Sequence, residues 1–270
     1  MVIQKIRSFE KYEDFIGELA GDPSFSDPHF TFDKDNLYGS PERQDEYAFV
    51  VLENGKPEGL FVWLVLPEDQ YIEMIIGLTK NEEAFSEMLS FMEGKYPGFQ
   101  MDFVLNPSNA AISRPLEARG AVFDPEQQKM MQSGIVPEVP TNQIELFSEK
   151  WTQQYCELHN KETYWTAERI LANLSNFRVL LAINEGQVQG YLDVTSGHEV
   201  NEIYDLFVKP EAAQQGDEAA LLAKAVELNS PHPLLVVVDV DAEAEIELYT
   251  AMGFRRMEGQ NSIAASYRIP

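Results

Sequence analysis

Residues 202–222 combine a strand, a turn and the start of a helix, an order that suits the binding of an anion. Residues 202–208 (EIYDLFV) predict the strand, and residues 211–222 (EAAQQGDEAALL) predict a loop that becomes a helix around Gly216. The first N–H groups of a helix have no partner within it, and with the helix dipole they favour a pyrophosphate. A glycine lets phosphate oxygens approach the backbone. The alternative is an acid-rich helix start, in which Asp217 and Glu218 favour the dipole without any ligand.

The histidines and the cysteine argue against metal and redox chemistry. The chain has four histidines and one cysteine. No pair of them has the spacing of an HExxH or CxxC motif, so we expect no metal site and no internal disulfide. Cys156 lies within a predicted helix without an adjacent base, and we expect a buried, unreactive thiol.

The composition indicates a folded and strongly acidic protein. The formal net charge is −25 at pH 7, the acids are spread over both halves, and 44% of the residues are hydrophobic. Such a surface repels phosphate backbones and favours cationic amines, although it also serves solubility alone. We therefore expect no nucleic-acid partner. The longest apolar run, residues 60–66, is too short to cross a bilayer, and residues 1–11 lack an apolar leader region. We therefore expect no membrane association and a cytoplasmic location.

The same order of elements occurs twice along the chain. Residues 47–66 and residues 178–195 each predict a hairpin with a glycine in its turn. A third strand, a helix, a buried strand and a second helix follow in each half. Residues 143–159 are predicted to be helical. Residues 135–141 carry two prolines and no helical period, and they are the best candidate for a linker.

The two halves also match position by position. Residues 53–63 match residues 184–194 at an offset of 131 positions, and the same offset places residues 71–77 on residues 202–208. Later matches follow in the same order with short insertions. Ordered matches of this kind predict two copies of one fold.

The second half resembles the GNAT family of N-acetyltransferases. The resemblance rests on the order and spacing of the strand at 202–208, the loop and helix at 211–222, and the segment 246–254 (IELYTAMGF). It covers residues 143–270 well and residues 1–133 faintly. It implies an α/β (α+β) fold, in which a mixed, mostly antiparallel sheet is flanked by helices, and it implies the binding of acetyl-CoA.

The resemblance further implies two tandem GNAT-like domains, 1–135 and 136–270. The first copy has no glycine loop after its third strand, and the position equivalent to Tyr249 falls near Glu117. We therefore expect a degenerate first copy. Residues 25–38 lie in a long predicted loop, which would be a lid or a disordered insertion.

The resemblance also implies which residues hold the coenzyme. The third strand would bind the acetyl carbonyl and the pantetheine arm, and the loop would bind the pyrophosphate. The implied cofactor-binding residues are Leu206, Phe207, Val208, Ala213, Gln214, Gln215, Gly216, Asp217, Glu218 and Ala219. The family's loop pattern is R/Q-x-x-G-x-G/A, and here only Gly216 matches it. Asp217 and Glu218 would repel an anionic ligand.

A general acid and a base are implied in the same way. In the family, an L-Y-x-x-x-G-F segment places a tyrosine beside the sulfur of the coenzyme, and here that tyrosine is Tyr249. A phenol can protonate a leaving thiolate without ionising first. The alternative is that Tyr249 only packs on the sheet. An amine must lose a proton to attack, and Glu202 is the candidate base. Strand alternation places Glu202 and Tyr204 on one face and Asp205 on the other.

These features predict an acyl-CoA-dependent N-acetyltransferase. The acceptor would be the primary amine of a cationic small molecule or a peptide, and it would attack directly in a ternary complex without a metal. The alternative is a non-catalytic GNAT-like binding or regulatory protein with a degraded coenzyme A loop, which Ala213, Asp217 and Glu218 favour. Both a monomer and a homodimer fit the sequence.

Overall fold

A computed structural model of the chain describes residues 1–213 and 216–270. In these residues the strands are β1 (Val2–Ile6), β2 (Glu46–Glu53), β3 (Lys56–Leu66), β4 (Tyr71–Thr79), β5 (Gln100–Leu105), β6 (Val122–Phe123), β7 (Gln127–Gln132), β8 (Ile144–Leu146), β9 (Phe177–Asn184), β10 (Gln187–Thr195), β11 (Asn201–Val208), β12 (Leu234–Asp239), β13 (Phe254–Arg256) and β14 (Ile263–Arg268). The α-helices are α1 (Glu13–Ala20), α2 (Pro28–Phe32), α3 (Asp35–Tyr38), α4 (Glu82–Lys95), α5 (Ala110–Ala118), α6 (Thr152–Leu158), α7 (Ala167–Leu171), α8 (Pro210–Ala213), α9 (Asp217–Asn229) and α10 (Glu243–Ala251).

The chain forms two compact units, each built on one seven-stranded sheet. The first unit comprises residues 1–128 and 258–270, and the second comprises residues 129–257. The strand orders are β1-β2-β3-β4-β5-β14-β6 and β13-β7-β12-β11-β10-β9-β8. The pairs β4–β5 and β11–β12 are parallel. The antiparallel pairs are β1–β2, β2–β3, β3–β4, β5–β14, β6–β14, β7–β13, β8–β9, β9–β10 and β10–β11. The predicted architecture, two mixed and mostly antiparallel sheets flanked by helices, is confirmed.

Helices cover both faces of the sheet in the first unit. Phe61 and Trp63 of β3 lie in one core with α4 and α5. Leu60 and Val62 lie in a second core with α1, α2 and α3. Successive side chains of a strand point to opposite faces, and an uninterrupted apolar run therefore reaches two cores at once.

The second unit repeats this layering. Leu192 of β10 lies in a core with α9 and α10. Its neighbour Tyr191 lies in the core on the opposite face, with α6 and α7. The residues that the sequence marked for chemistry are on β11, α9 and α10, so the sheet and its α9–α10 face hold most of them.

Each sheet contains a strand from the other half of the sequence. β14, near the end of the chain, pairs with β5 and β6 in the first sheet, and its Ala265 is buried in a core of the first unit. β7 precedes the expected linker, yet it pairs with β13 and neighbours β12 in the second sheet. The compact units therefore differ from the predicted limits 1–135 and 136–270. The alternation of a strand shows which face it buries, but it does not show which sheet it joins.

The strand registers correct the match between the two halves. Gly59 of β3 is the partner of Thr79, and Gly190 of β10 is the partner of Val208. Thr79 therefore corresponds to Val208, and the predicted match of the third strands is wrong by two residues. The cause is the longer second strand of the hairpin in the first half, because β3 has 11 residues whereas β10 has 9.

The predicted helix over residues 143–159 is wrong in its first part. β8 pairs with β9, with Ile144 opposite Ala182, and α6 begins only at Thr152. A strand of three residues is too short for its period to be distinguished from a turn of helix.

The place of β14 can be tested with a pair of cysteines. Asp102 of β5 and Ser266 of β14 are cross-strand partners. The Cα atoms of such partners lie about 4.5–5.5 Å apart, a distance that a disulfide spans. With Cys156→Ser as the background, the variant Asp102→Cys/Ser266→Cys should form an intramolecular disulfide under mild oxidation, which mass spectrometry of non-reduced peptides will detect.

The matched control is Asp102→Cys/Tyr267→Cys. Tyr267 is the next residue on β14, so its side chain points to the other face of the sheet. Little or no disulfide is expected in this control. Equal yields in the two variants, or no disulfide in the first, would contradict the pairing of β14 with β5.

Candidate active site

The parallel strands β11 and β12 are paired only where they begin. The partners are Asn201 with Leu234, Glu202 with Leu235 and Ile203 with Val236. The strands then separate, and a cavity of about 160 Å³ is lined by Ile203, Tyr204, Asp205, Leu206, Val236, Val237, Val238, Glu245 and Tyr249. Backbone groups that a continuous sheet would pair face this cavity, which we call the β11–β12 cavity. It therefore offers hydrogen-bond donors and acceptors to a ligand.

A β-bulge in β11 accompanies the separation. Asp205 is the partner of Asp193 on β10, but the next pair joins Val194 to Ile203. Tyr204 is thus an extra residue without a partner on β10. A bulge of this kind bends the strand and increases its twist, and so directs β11 away from β12.

The bulge also corrects the predicted alternation along β11. The ring of Tyr204 contacts the rings of Trp165 and Phe177, with centroids 6.2 and 6.1 Å away. Asp205 accepts a hydrogen bond from Tyr191, which lies in the same core as Trp165 and Phe177. Tyr204 and Asp205 therefore lie on one face. The predicted opposite placement is wrong because the extra residue resets the alternation.

Tyr249 on α10 lies beside the cavity. Its side chain is 4% exposed, and its ring packs edge-on against Phe254. Burial raises the pKa of Tyr249, and the charges of Glu245, Asp205 and Glu218 raise it further. The hydroxyl therefore stays protonated over the physiological range and can donate a proton to a ligand in the cavity.

The charge around the cavity is negative. Asp205 and Glu245 line it from β11 and from α10. The pKa of Glu245 is raised by burial and by the charges of Asp239, Glu218 and Asp205. Four carboxyl groups thus act on one small space, which favours a cation there.

Glu202 lies on β11 directly before Ile203, but it is not among the residues that line the β11–β12 cavity. Burial raises its pKa, and the charge of Lys129 partly opposes that effect. Its charge also contributes to the raised pKa of Tyr204. The carboxyl group is therefore close to the aromatic side chains on the α7 face of the sheet.

The loop expected to bind phosphate lies at the start of α9. α8 ends at Ala213, and Gln214 and Gln215 lie outside the described residues. Gly216 precedes α9 with φ at +85°, a conformation that favours glycine. α9 has 13 residues, so its first turn presents N–H groups and the positive end of a dipole.

The two acids of this turn differ in their surroundings. Asp217 is 5% exposed, and its carboxylate accepts a hydrogen bond from the side chain of Gln143 at 3.0 Å. The charge of Glu218 contributes to the raised pKa of Tyr249 and of Glu245, so it adds to the negative potential at the cavity. Ala219 is partly buried against the core of the second unit.

Of the last three residues of β11, Leu206 lines the β11–β12 cavity, and Phe207 and Val208 do not. Phe207 is 39% exposed, and its ring lies 6.0 Å from that of Tyr191. Val208 is buried in the core with α9. Gly190 faces Val208, and a Cβ there would lie 2.6 Å from the carbonyl oxygen of Phe207, so the close approach of β10 and β11 requires a glycine.

A buried polar cluster on the α6 face was not predicted from the sequence. Asp193 has no exposed surface; one of its carboxyl oxygens accepts a hydrogen bond from Tyr155 at 2.9 Å, and the other lies 2.9 Å from His159 Nε2. His159 Nδ1 lies 2.7 Å from the carbonyl oxygen of Asn160. Burial lowers the pKa of His159, but its hydrogen bonds to Asp193 and Asn160 raise it overall. One acid within the apolar strand GYLDV was the available signal, because a buried carboxylate needs partners.

This cluster reaches the cavity through Tyr191. The Tyr191 ring stacks on that of His159 with centroids 4.8 Å apart and planes 15° apart. Its hydroxyl accepts a hydrogen bond from the N–H of Asn160 at 3.2 Å and donates one to Asp205 at 2.6 Å. Asp205 is therefore connected through Tyr191 to the buried polar cluster.

In the first unit, β4 and β5 also pair only where they begin, but the chain fills the space beyond. α2 packs there against both strands. The buried carboxylate of Asp27 accepts hydrogen bonds from the N–H groups of Phe30, at 2.9 Å, and Gly77, at 2.8 Å. His29 Nδ1 lies 2.9 Å from the carbonyl oxygen of Ile75. The predicted loop thus contains α2 and α3, and α2 closes the cleft.

The described residues contain no cluster of three or more His, Cys, Asp or Glu side chains that could hold a metal ion. No helix within them has the length and apolar character that a bilayer crossing demands.

A family model for the acetyltransferase (GNAT) domain matches residues 137–266. No curated protein matches the chain by sequence. A GCN5-related N-acetyltransferase from Sphaerobacter thermophilus has a similar structure, with a TM-score of 0.61, 15% identity and coverage of 84% of this chain and 81% of that one.

Two further structures are similar over the whole chain. A tandem GNAT protein from the clavulanic acid biosynthesis pathway has a TM-score of 0.56 and 11% identity, with 100% of this chain and 98% of that one covered. An acetyltransferase of the GNAT family from Colwellia psychrerythraea has a TM-score of 0.56 and 9% identity, with 100% of both chains covered. At these identities the likeness concerns the fold, which in the second of the three is a tandem one.

The strand order, the separated parallel pair and the family match agree: residues 137–266 match the acetyltransferase (GNAT) domain, and the chain as a whole has the fold of a tandem GNAT protein.

Proposed function

We propose that the second unit transfers an acetyl or other acyl group from a coenzyme A thioester to a primary amine. The observation that carries the proposal is the β11–β12 cavity, where separated strands leave backbone groups for a ligand beside the side chain of Tyr249. In the first unit the equivalent space is closed by α2, so the activity is assigned to the second unit alone.

The described residues fit an acyl-CoA in two places. The backbone of Leu206 and its neighbours Phe207 and Val208 would bind the acyl carbonyl and the pantetheine arm along β11. The first turn of α9, with Gly216 at positive φ, would bind the pyrophosphate.

The chemistry is a direct transfer within a ternary complex. The amine nitrogen attacks the thioester carbon, and the C–S bond then breaks. Tyr249 gives its hydroxyl proton to the departing thiolate, and Glu202, directly or through water, takes the proton that the amine nitrogen loses. The proton is returned to Tyr249 from solvent, and the products are an amide and a free thiol.

The negative cavity favours a cationic acceptor. Carboxyl groups of Asp205 and Glu245 line it, and aromatic side chains lie next to it on the α7 face. An ammonium group gains from both surroundings. The acceptor class is therefore a small molecule or peptide with a primary amine and a further positive charge.

A non-catalytic GNAT-like binding or regulatory protein is the second candidate. It is favoured by Ala213, which lacks the donor of the family's loop pattern, and by Glu218, whose charge reaches the cavity. Such a protein would bind a cationic ligand in the same space without turning over acetyl-CoA.

The experiment that decides between the candidates is an assay of thiol release from acetyl-CoA. The acceptors are polyamines, aminoglycosides, and lysine and lysine peptides, with products identified by mass spectrometry. The proposal expects amine-dependent release and a matching acetylated product. Binding of an amine with no thiol release from any acyl-CoA would favour the second candidate.

Tyr249→Phe tests the general acid. The rate constant kcat should fall about 100-fold, because the leaving thiolate loses its proton donor. The KM for acetyl-CoA and the thermal unfolding midpoint should change little, since no described residue is hydrogen-bonded to the hydroxyl.

The matched control for that variant is Tyr267→Phe in the first unit, where the hydroxyl donates to Glu93. It should leave kcat unchanged. A Tyr249→Phe variant with full kcat would show that the tyrosine only packs on the sheet.

Glu202→Gln tests the base, and pH profiles are the measurement. Burial raises the pKa of Glu202 above the ordinary value of 4.5. The wild-type rate should therefore fall as the pH drops through that raised pKa, because the base must be ionised. Glu202→Gln should lower kcat by about 10- to 100-fold and remove the acidic limb.

The control for the base is Glu199→Gln, a change at an exposed position that should leave the profile intact. An unaltered acidic limb in Glu202→Gln would assign the base to another group.

A further inference from the structure

The hydrogen bonds around His159 fix the direction of each donor. The carbonyl oxygen of Asn160 can only accept, so Nδ1 of His159 carries a proton and donates it at 2.7 Å. Nε2 faces Asp193 at 2.9 Å, and the side chains of both residues are at most 1% exposed. Asp193 is held on its other oxygen by the hydroxyl of Tyr155. The imidazole therefore has one orientation, and its Nδ1 is hydrogen-bonded to the backbone carbonyl of Asn160.

The same reasoning gives the direction of the next two bonds. Asn160 donates its N–H to the hydroxyl oxygen of Tyr191. The Tyr191 proton is thus directed to its other partner, the carboxylate of Asp205, at 2.6 Å. A short hydrogen bond from a hydroxyl to an ionised oxygen is among the stronger ones in proteins.

We propose that His159, oriented by Asp193, is a positioning residue that fixes the carboxylate of Asp205 at the cavity wall through Asn160 and Tyr191, where Asp205 binds the ammonium group of the acceptor. The inference rests on the proposed function for the identity of the acceptor. The chain of hydrogen bonds from His159 to Asp205 stands apart from it.

The small contribution of the buried His159–Asp193 pair to the free energy of unfolding supports a positioning role. A buried histidine–carboxylate pair contributes little to stability, because the loss of hydration offsets the attraction between the two groups. An apolar pair of similar size would fill the α6 face as well. What the pair adds is a fixed direction for the Asn160 backbone, and a reacting amine loses rate steeply when its partner is displaced by about 1 Å.

Two substitutions of His159 separate positioning from packing. The side-chain nitrogen of asparagine lies where Nδ1 of histidine lies, and that of glutamine lies near Nε2. His159→Asn therefore keeps the bond to Asn160 and loses that to Asp193. His159→Gln does the reverse. Stability should fall more in His159→Asn, because Asp193 loses a partner in a buried place, whereas the hold on Asp205 should fall more in His159→Gln.

Nuclear magnetic resonance of the full-length chain measures, without any substrate, how firmly the side chain of Asp205 is positioned. The two readouts are the hydrogen-exchange protection of the Asn160 amide and the side-chain couplings that report the χ1 rotamer of Asp205. We expect a protected amide and one rotamer in the wild type and in His159→Asn. We expect faster exchange and averaged rotamers in His159→Gln.

Tyr191→Phe is a third variant, which keeps the ring on His159 while removing the hydroxyl. It should release Asp205 in the same way, and it keeps the test decisive should a His159 variant fail to fold. One unchanged rotamer of Asp205 in both His159→Gln and Tyr191→Phe would overturn the proposal.

Kinetics form the other arm, with the amine found in the thiol-release assay. His159→Gln should lower kcat/KM for the amine at least tenfold and leave the KM for acetyl-CoA unchanged. The control is His198→Gln, at an exposed histidine of the same unit. An unchanged kcat/KM in His159→Gln would overturn the role of Asp205 toward the acceptor. No turnover by the wild type would overturn the proposed function and the acceptor clause, and the resonance data would still decide the positioning chain.

Discussion

The separation of a parallel strand pair is the constraint on which both units depend. In each unit the third strand of the repeat carries one extra residue, Ile75 in β4 and Tyr204 in β11, because the register with the preceding strand shifts there. The strand is then directed away from its parallel neighbour. Beyond that point, the N–H and carbonyl groups that face the parallel neighbour have no partners on it, and they need others.

The two units meet this need in opposite ways. In the first, the carboxylate of Asp27 accepts a hydrogen bond from the N–H of Gly77, and the imidazole of His29 is hydrogen-bonded to the carbonyl oxygen of Ile75. Leu206 corresponds to Gly77 through the strand registers. No side chain of residues 1–213 or 216–270 bonds to the backbone of Leu206, and the β11–β12 cavity lies beside it. One fold thus occurs once in a closed form and once in an open form, and we propose catalysis for the open form alone.

The sequence predicted the parts of the site that depend on local chemistry. Gly216 was identified from the strand–turn–helix order, and it has the positive φ that favours glycine there. Tyr249 was singled out from its segment, and the structure places it beside the cavity. Its role and that of Glu202 stay predictions. The hairpins followed from their turns, because Gly55 and Gly186 both require a left-handed backbone.

The features that the sequence did not predict depend on contacts between residues that are far apart along the chain. A bulge is one extra residue, and the pattern of β11 gives no sign of it, so Asp205 was assigned to the wrong face. The exchange of β7 and β14 depends on which sheet a strand joins, and alternation carries no such information. Asp193 and His159 are 34 positions apart, and only the fold brings them together. Asp193 alone gave a signal, as an acid within an apolar strand.

The central claim is that the second unit binds acyl-CoA in its open cleft and that the first unit does not. The most direct measurement is a titration of the isotope-labelled full chain with acetyl-CoA, followed through its backbone amide resonances. The account predicts saturable changes at Leu206, at Gly216 and in the first turn of α9, with the amide of Gly77 unchanged. Changes at Gly77, or none at Leu206 and Gly216 at millimolar acetyl-CoA, would contradict it.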